Sequence, residues 1–250
     1  MQGLAIFIHA VRMVIGNFGQ TLRIGGVALA VMVALTLSQE VGSRADGTLS
    51  AAAFLLSLAL MIVGLWVAVA WHRFILIEET PGTMLPAWNG AAIWAYFRAS
   101  FKLGLVLALL IIPLMLIVAL AIFPMMGARA DAASPGLAVG MLAFVVTLLP
   151  AAYVFYRLSP VLPGAATDRP MTLREAWYQT ATGGWTFVTL ALTTLVAGWA
   201  LDAPVLALAQ ISLPLALIWS AVAQWLAFLV GASILTTLYG HYIEKRELNA

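Results

Sequence analysis

Few residues in this chain could do chemistry. They are three histidines (His9, His72 and His241), the adjacent carboxylates Glu78 and Glu79, and a lone amide, Gln224, inside a long apolar run. A histidine that ligates haem or chlorophyll needs a neutral imidazole presented to a pocket, with a partner that fixes its tautomer. No such partner is evident beside His72 or His241, and an imidazole next to Arg73 or Tyr242 at a helix end reads as an interfacial residue. Adjacent carboxylates on a helix point apart, so Glu78 and Glu79, just before Pro81-Gly82, read as a solvated helix end. The chain has no cysteine, which rules out disulfides, thiolate nucleophiles and thiolate-held metals. The expectation is therefore no catalytic residue, no metal site and no cofactor.

The elements that must position these residues are set by composition. Of 250 residues, 64% are hydrophobic and 9% charged, and mean hydropathy is +1.04. Soluble domains carry about 25% charged residues, and a water-exposed surface this apolar would be sticky. Lipid as solvent removes the contradiction, so the chain reads as an all-α, polytopic membrane protein. A net charge of +2 with dispersed basic residues does not suggest a nucleic-acid partner.

Charge-free gaps locate the spans, since crossing a bilayer core of about 30 Å takes roughly 20 apolar residues. Arg23 to Glu40 leaves 16 such residues, Asp46 to Arg73 26, Lys102 to Arg129 26, Asp131 to Arg157 25 and Glu175 to Asp202 26. The last gap, Asp202 to Glu244, has 41, enough for one helix over about Leu213–Tyr242 preceded by "APVLALAQIS". That segment is either a linker or a short helix at the interface. Six spans place ten of the twelve Lys and Arg residues on one side, leaving Arg44 and Arg129 on the other. By the positive-inside rule both termini are expected to be cytoplasmic. Trp66 and Trp71 then suit the interfacial aromatic belt.

Three further amphipathic helices are expected to lie in the membrane plane on the basic side. Residues 4–22 place apolar side chains at helical spacing, and 86–102 has the same character. A third starts at Thr172, where Glu175 three residues on makes a capping box, and Gly183-Gly184 turns the chain upward. The chain thus repeats in-plane helix, helix up, helix down, with units at 1–82, 83–168 and 169–250. Arg73, Arg157 and His241 near the ends of the descending helices are 84 residues apart twice, which reads as a threefold parallel repeat.

The segment "YRLSPVLPGAATDRPMTLREAWYQTATGGW" resembles a group of bacterial inner-membrane proteins that includes the membrane domain attached to some glycerophosphodiester phosphodiesterases. The resemblance rests on Arg157, the proline-containing exit, Glu175, Trp177, Thr180 and Trp185. It implies the six-span topology and no phosphodiesterase activity, because that chemistry belongs to a soluble domain.

An ionisable side chain in mid-membrane is costly and usually functional, and no predicted span carries one at its centre. The candidates for binding are therefore His72, Arg73, Arg98, Arg157, Arg174 and His241, as headgroup or interface residues. Gln224 is the intramembrane polar candidate, either bonding across helices or lining a cavity. Gly136 and Gly140 are candidates for close helix packing. The expected function is that of a non-catalytic inner-membrane protein, an accessory or assembly subunit of a larger complex, whose partners are membrane lipids and other membrane subunits. The alternative is a lipid-handling protein or small-molecule carrier.

Overall fold

A computed structural model of the protein describes residues 2–42, 51–80, 85–127 and 135–248. Those residues form α1 (Gln2–Gly16), α2 (Phe18–Gly42), α3 (Ala51–Ile77), α4 (Gly90–Gly127), α5 (Pro135–Leu158), α6 (Val161–Ala166) and α7 (Leu173–Gln179). A 3-10 turn at Ala181–Gly183 leads into α8 (Gly184–Asp202), α9 (Pro204–Ile211) and α10 (Leu213–Tyr242). Six stretches are long and apolar enough to cross a membrane: Phe18–Leu37, Phe54–Ile77, Gly90–Leu120, Val145–Ala166, Ala181–Ile211 and Leu213–Tyr242. The chain is an all-α, multi-pass membrane protein.

Successive spans pack on one another: α2 on α3, α3 on α4, α4 on α5 and α5 on α8, and α10 packs on both α2 and α3. Direct contact between α8 and α10 is slight; α1 lies across that seam and packs on both. Gly3 lets it do so, because a Cβ there would overlap the Thr186 carbonyl and the Thr189 hydroxyl of α8. The six residues of α6 are all buried, held against α3, α4 and α10. Gln2 Nε2 and His241 Nε2 are 2.7 Å apart, so the two ends of the described chain meet at one end of the bundle. That end also holds Arg73, Arg157 and Arg246, and is called the basic end below.

Burial concentrates there. Ile6, Trp71, Phe187, Leu190 and Leu238 have no exposed surface, whereas Leu109, Ile112 and Ile117 further along α4 are mostly exposed. A soluble protein would hide such side chains; here hydrocarbon is the solvent that receives them.

Two expectations change in detail, and one left open is resolved. The amphipathic stretch 4–22 divides, with α1 ending at Gly16 and residues from Phe18 onward belonging to the first span. The stretch 86–102 is no separate in-plane helix. Its residues from Gly90 onward continue into the third span as one helix of 38 residues, about 57 Å at 1.5 Å per residue and longer than the hydrocarbon core is thick. Residues 204–211 are a short helix, with Pro204 in its first turn and no buried residue.

The predicted start of α7 is present as written. Thr172 Oγ1 accepts from the Glu175 amide at 3.1 Å, and the Thr172 amide donates to Glu175 Oε2 at 2.7 Å. Gly183 marks the turn into α8, and a Cβ there would run into the Tyr242 hydroxyl and the Phe187 ring.

The three descents share a closing device. Just beyond each, one residue takes a left-handed backbone: Glu78 (φ 56°), Asp168 (φ 59°) and Lys245 (φ 59°). The next amide then folds back onto the helix, Glu79 to the Arg73 carbonyl, Arg169 to that of Gly164 and Arg246 to that of Gly240. Glycine normally takes this position. Here the side chains have work of their own, since Asp168 pairs with Arg73 and Lys245 donates to the Tyr242 carbonyl.

Candidate functional site

His72 is not at the headgroups. Its position near the end of an apolar helix suggested the interface, but the side chain is 0% exposed and turned into the bundle. Thr236 Oγ1 donates to the Ala232 carbonyl at 2.9 Å, and so accepts from His72 Nδ1–H at 2.8 Å. Nε2 lies 3.4 Å from the Tyr96 hydroxyl. One imidazole thus joins α3, α4 and α10. Trp71 is likewise wholly buried rather than interfacial, packed beside Val14, Ile24 and Trp225.

Arg73 and Arg157 are also committed to the bundle. Arg73, with 13% of its side chain exposed, pairs through Nε with Glu79 at 2.7 Å and through Nη1 with Asp168 at 2.8 Å. It also donates to the Ala166 carbonyl at 3.0 Å, tying the end of α3 to the end of α6. Arg157 is 8% exposed and has no carboxylate in ion-pair range among the described residues. Its Nη2 donates to the Trp177 carbonyl at 2.6 Å, and its guanidinium lies 3.6 Å from the Trp177 ring centroid. Weaker contacts reach Thr180 and Tyr153, each at 3.4 Å. A guanidinium tolerates this because it is delocalised and weakly hydrated, and can stack on an aromatic face while donating at its edges.

His241 completes the series. Beyond its contact with Gln2, its Nδ1 is 3.2 Å from the Arg246 carbonyl oxygen, at the rim of a cleft of about 510 Å³ also lined by His9, Thr236 and Arg246. Residues at the 84-residue period therefore each grip a later stretch or the chain's start: Arg73 reaches 166–168, Arg157 reaches 177–180 and His241 reaches Gln2. Arg246 adds an ion pair with Glu244 at 2.7 Å and a bond to the Leu76 carbonyl. Glu244 also pairs with Arg169 at 3.0 Å.

Two candidates, Arg98 and Arg174, differ from these. With Lys102 they line a cleft of about 570 Å³ between the first turns of α4, α6 and the start of α7. All three are exposed, and none is paired with a carboxylate among the described residues. Arg98 and Lys102 stand one turn apart on α4, on neighbouring positions of one face. Arg174 comes from the α7 wall. The neighbouring acid, Glu175, is occupied by the Thr172 amide, which with the Thr172 side chain holds its carboxyl below the usual range. Aromatic rings prop both arginines, Trp94 at 6.0 Å from Arg98 and Tyr178 at 5.6 Å from Arg174. A ring fixes a guanidinium without neutralising it or occupying its donors. Val161, Ala165 and Met171 supply an apolar wall. Lys102 was not singled out from sequence, although its four-residue spacing from Arg98 was visible.

Gln224 neither crosses to another helix nor enters a buried cavity. It is exposed on α10 and bonds Ser220 one turn back, at 3.0 Å. Gly136 and Gly140 lie on the backbone of α5, in a segment whose side-chain surroundings fall outside the described residues. A third cleft, of about 640 Å³, opens between α4, α5 and α8. Its walls are almost wholly apolar, with Tyr156 donating to Thr194 at 3.0 Å and Asp202 at one edge. Comparison with protein-family models, with curated proteins and with solved structures finds no match to this chain.

Proposed function

We propose that this is a non-catalytic protein of the bacterial inner membrane, with both termini in the cytoplasm, that retains anionic lipid headgroups at its basic end. The lipid-handling reading thereby moves ahead of the accessory-subunit one. The observation that carries it is the cleft of Arg98, Lys102 and Arg174, three exposed cations near the basic end with no carboxylate paired to them among the described residues. Phosphate is the anion most abundant at that depth, and arginine forks onto it through paired N–H donors. The other polar side chains near the membrane, His72, Arg73 and Arg157, are spent on holding helices together. The resemblance of residues 156–185 to the membrane domain of glycerophosphodiester phosphodiesterases points the same way, toward a lipid-facing role without that chemistry.

Gln224 favours the second reading, an accessory subunit. An amide on the outer face of a membrane helix can bond a neighbouring helix, and such contacts contribute about 0.6–2 kcal/mol in bilayers.

The test is extraction of tagged protein in mild detergent, followed by mass spectrometry of bound lipids and proteins. Wild type should carry anionic phospholipid, and Arg98→Gln/Lys102→Gln/Arg174→Gln should lose it. Protein free of anionic lipid but bound to a stoichiometric protein partner would make the accessory-subunit reading the better one.

A further inference from the structure

The number, placement and surroundings of the cleft cations say more about the ligand than its sign. Resting on the reading that this cleft holds an anionic headgroup, we propose that its ligand carries two phosphates joined by a short polyol bridge, as in a diphosphatidylglycerol-type lipid.

Charge is the first argument. A single phosphodiester brings one negative charge to three cations and leaves most of the field unopposed, whereas two phosphates leave a residue of one. Placement is the second. Arg98 and Lys102 form a station on α4, and Arg174 forms another on the facing wall. One phosphate has few oxygens to share between separate walls; a bridged pair offers one group to each.

Size agrees. A cleft of about 570 Å³ has room for more than one phosphate of five heavy atoms. The apolar wall of Val161, Ala165 and Met171 suits the glycerol and first acyl carbons that follow the phosphates. Basic clefts between membrane helices on the cytoplasmic side suit such headgroups on general grounds. The aromatic props beside Arg98 and Arg174 keep both stations in place before the ligand arrives, which lowers the ordering cost of binding.

The experiment is titration of delipidated full-length protein in neutral detergent, with bound lipid counted by native mass spectrometry. The probes are diphosphatidylglycerol and, at equal total phosphate, phosphatidylglycerol. Diphosphatidylglycerol should bind about tenfold more tightly, a difference of about 1.4 kcal/mol. Arg174→Gln should bring the two lipids to equal affinity, and Arg98→Gln/Lys102→Gln should abolish binding of both. Unchanged thermal unfolding of both variants would show that the fold is intact.

Equal affinity in wild type would overturn the two-phosphate assignment and leave anionic-lipid retention standing. Binding no better than to phosphatidylcholine would overturn that reading too. Inorganic pyrophosphate at micromolar concentration displacing the lipid would identify the ligand as a soluble diphosphate rather than a headgroup.

Discussion

Arg157 and the Arg98–Lys102–Arg174 cleft are chemically alike and physically opposite. Both use guanidinium groups beside aromatic rings, and neither has a carboxylate partner among the described residues. Arg157 is packed away, its donors turned to the Trp177 carbonyl, Thr180 and Tyr153. The cleft residues are exposed and have no carboxylate partner among the described residues. The same side chain is thus a structural pin where the protein supplies neutral acceptors, and on the reading proposed above an anion receptor where it supplies only rings. Burial and acceptor supply separate the two roles.

Substitution at Arg157 should break this comparison most severely. Arg157→Ala removes the 2.6 Å bond to the Trp177 carbonyl and the stacked cation, so a loss of about 3 kcal/mol is expected from charge-assisted hydrogen bonds and cation–π contact together. Denaturation of the detergent-solubilised protein measures it. Arg157→Lys should recover only part, because an ammonium cannot stack and fork at once. Full recovery would mean that only the charge matters there.

The cleft variant Arg98→Gln/Lys102→Gln/Arg174→Gln should change stability by less than about 1 kcal/mol, as expected for exposed groups. A cleft variant as damaging as Arg157→Ala would erase the distinction between pin and receptor.

Acid supplies the smallest effect. The folded-state pKa of Glu175 lies below its ordinary value, chiefly because its carboxylate accepts from the Thr172 amide. A depressed carboxylate stabilises above its unfolded pKa, and that contribution fades as pH falls through the lower folded value. The first turn of α7 should therefore hold from neutral pH down to the usual carboxylate range of about 4 and fray below it. Hydrogen exchange at the Thr172 amide reads this directly. Glu175→Gln, which keeps the acceptor but not the charge, should flatten the pH dependence.

Much of the architecture could be read from sequence because lipid imposes simple rules. Charge is excluded from hydrocarbon, so the gaps between charges marked all six spans. Thr172 and Glu175 disclosed a helix start because a capping box is a local bargain within four residues. The 84-residue interval singled out Arg73, Arg157 and His241, all of which do hold the basic end together.

Rotation about a helix axis was not legible. A span apolar on every side has no polar face to say which way it turns, so His72 was taken as interfacial when it points inward, and Gln224 as inward when it points out. The site suffered from the same blindness. Arg98 and Lys102 announce themselves as neighbours by their spacing, but only the return of the chain through α6 brings Arg174 opposite them.

The position of α1 across the seam between α8 and α10 bears on how the protein is made. α1 emerges from the ribosome before either of its partners, and cannot take up its place until both α8 and α10 have entered the membrane. Until then its apolar face has the bilayer surface as its resting place. Closing the seam is thus a late event that joins helices far apart in sequence, and such long-range closures are slow to form. Chains stalled before α10 would leave α1 without one of its two partners and the seam unclosed.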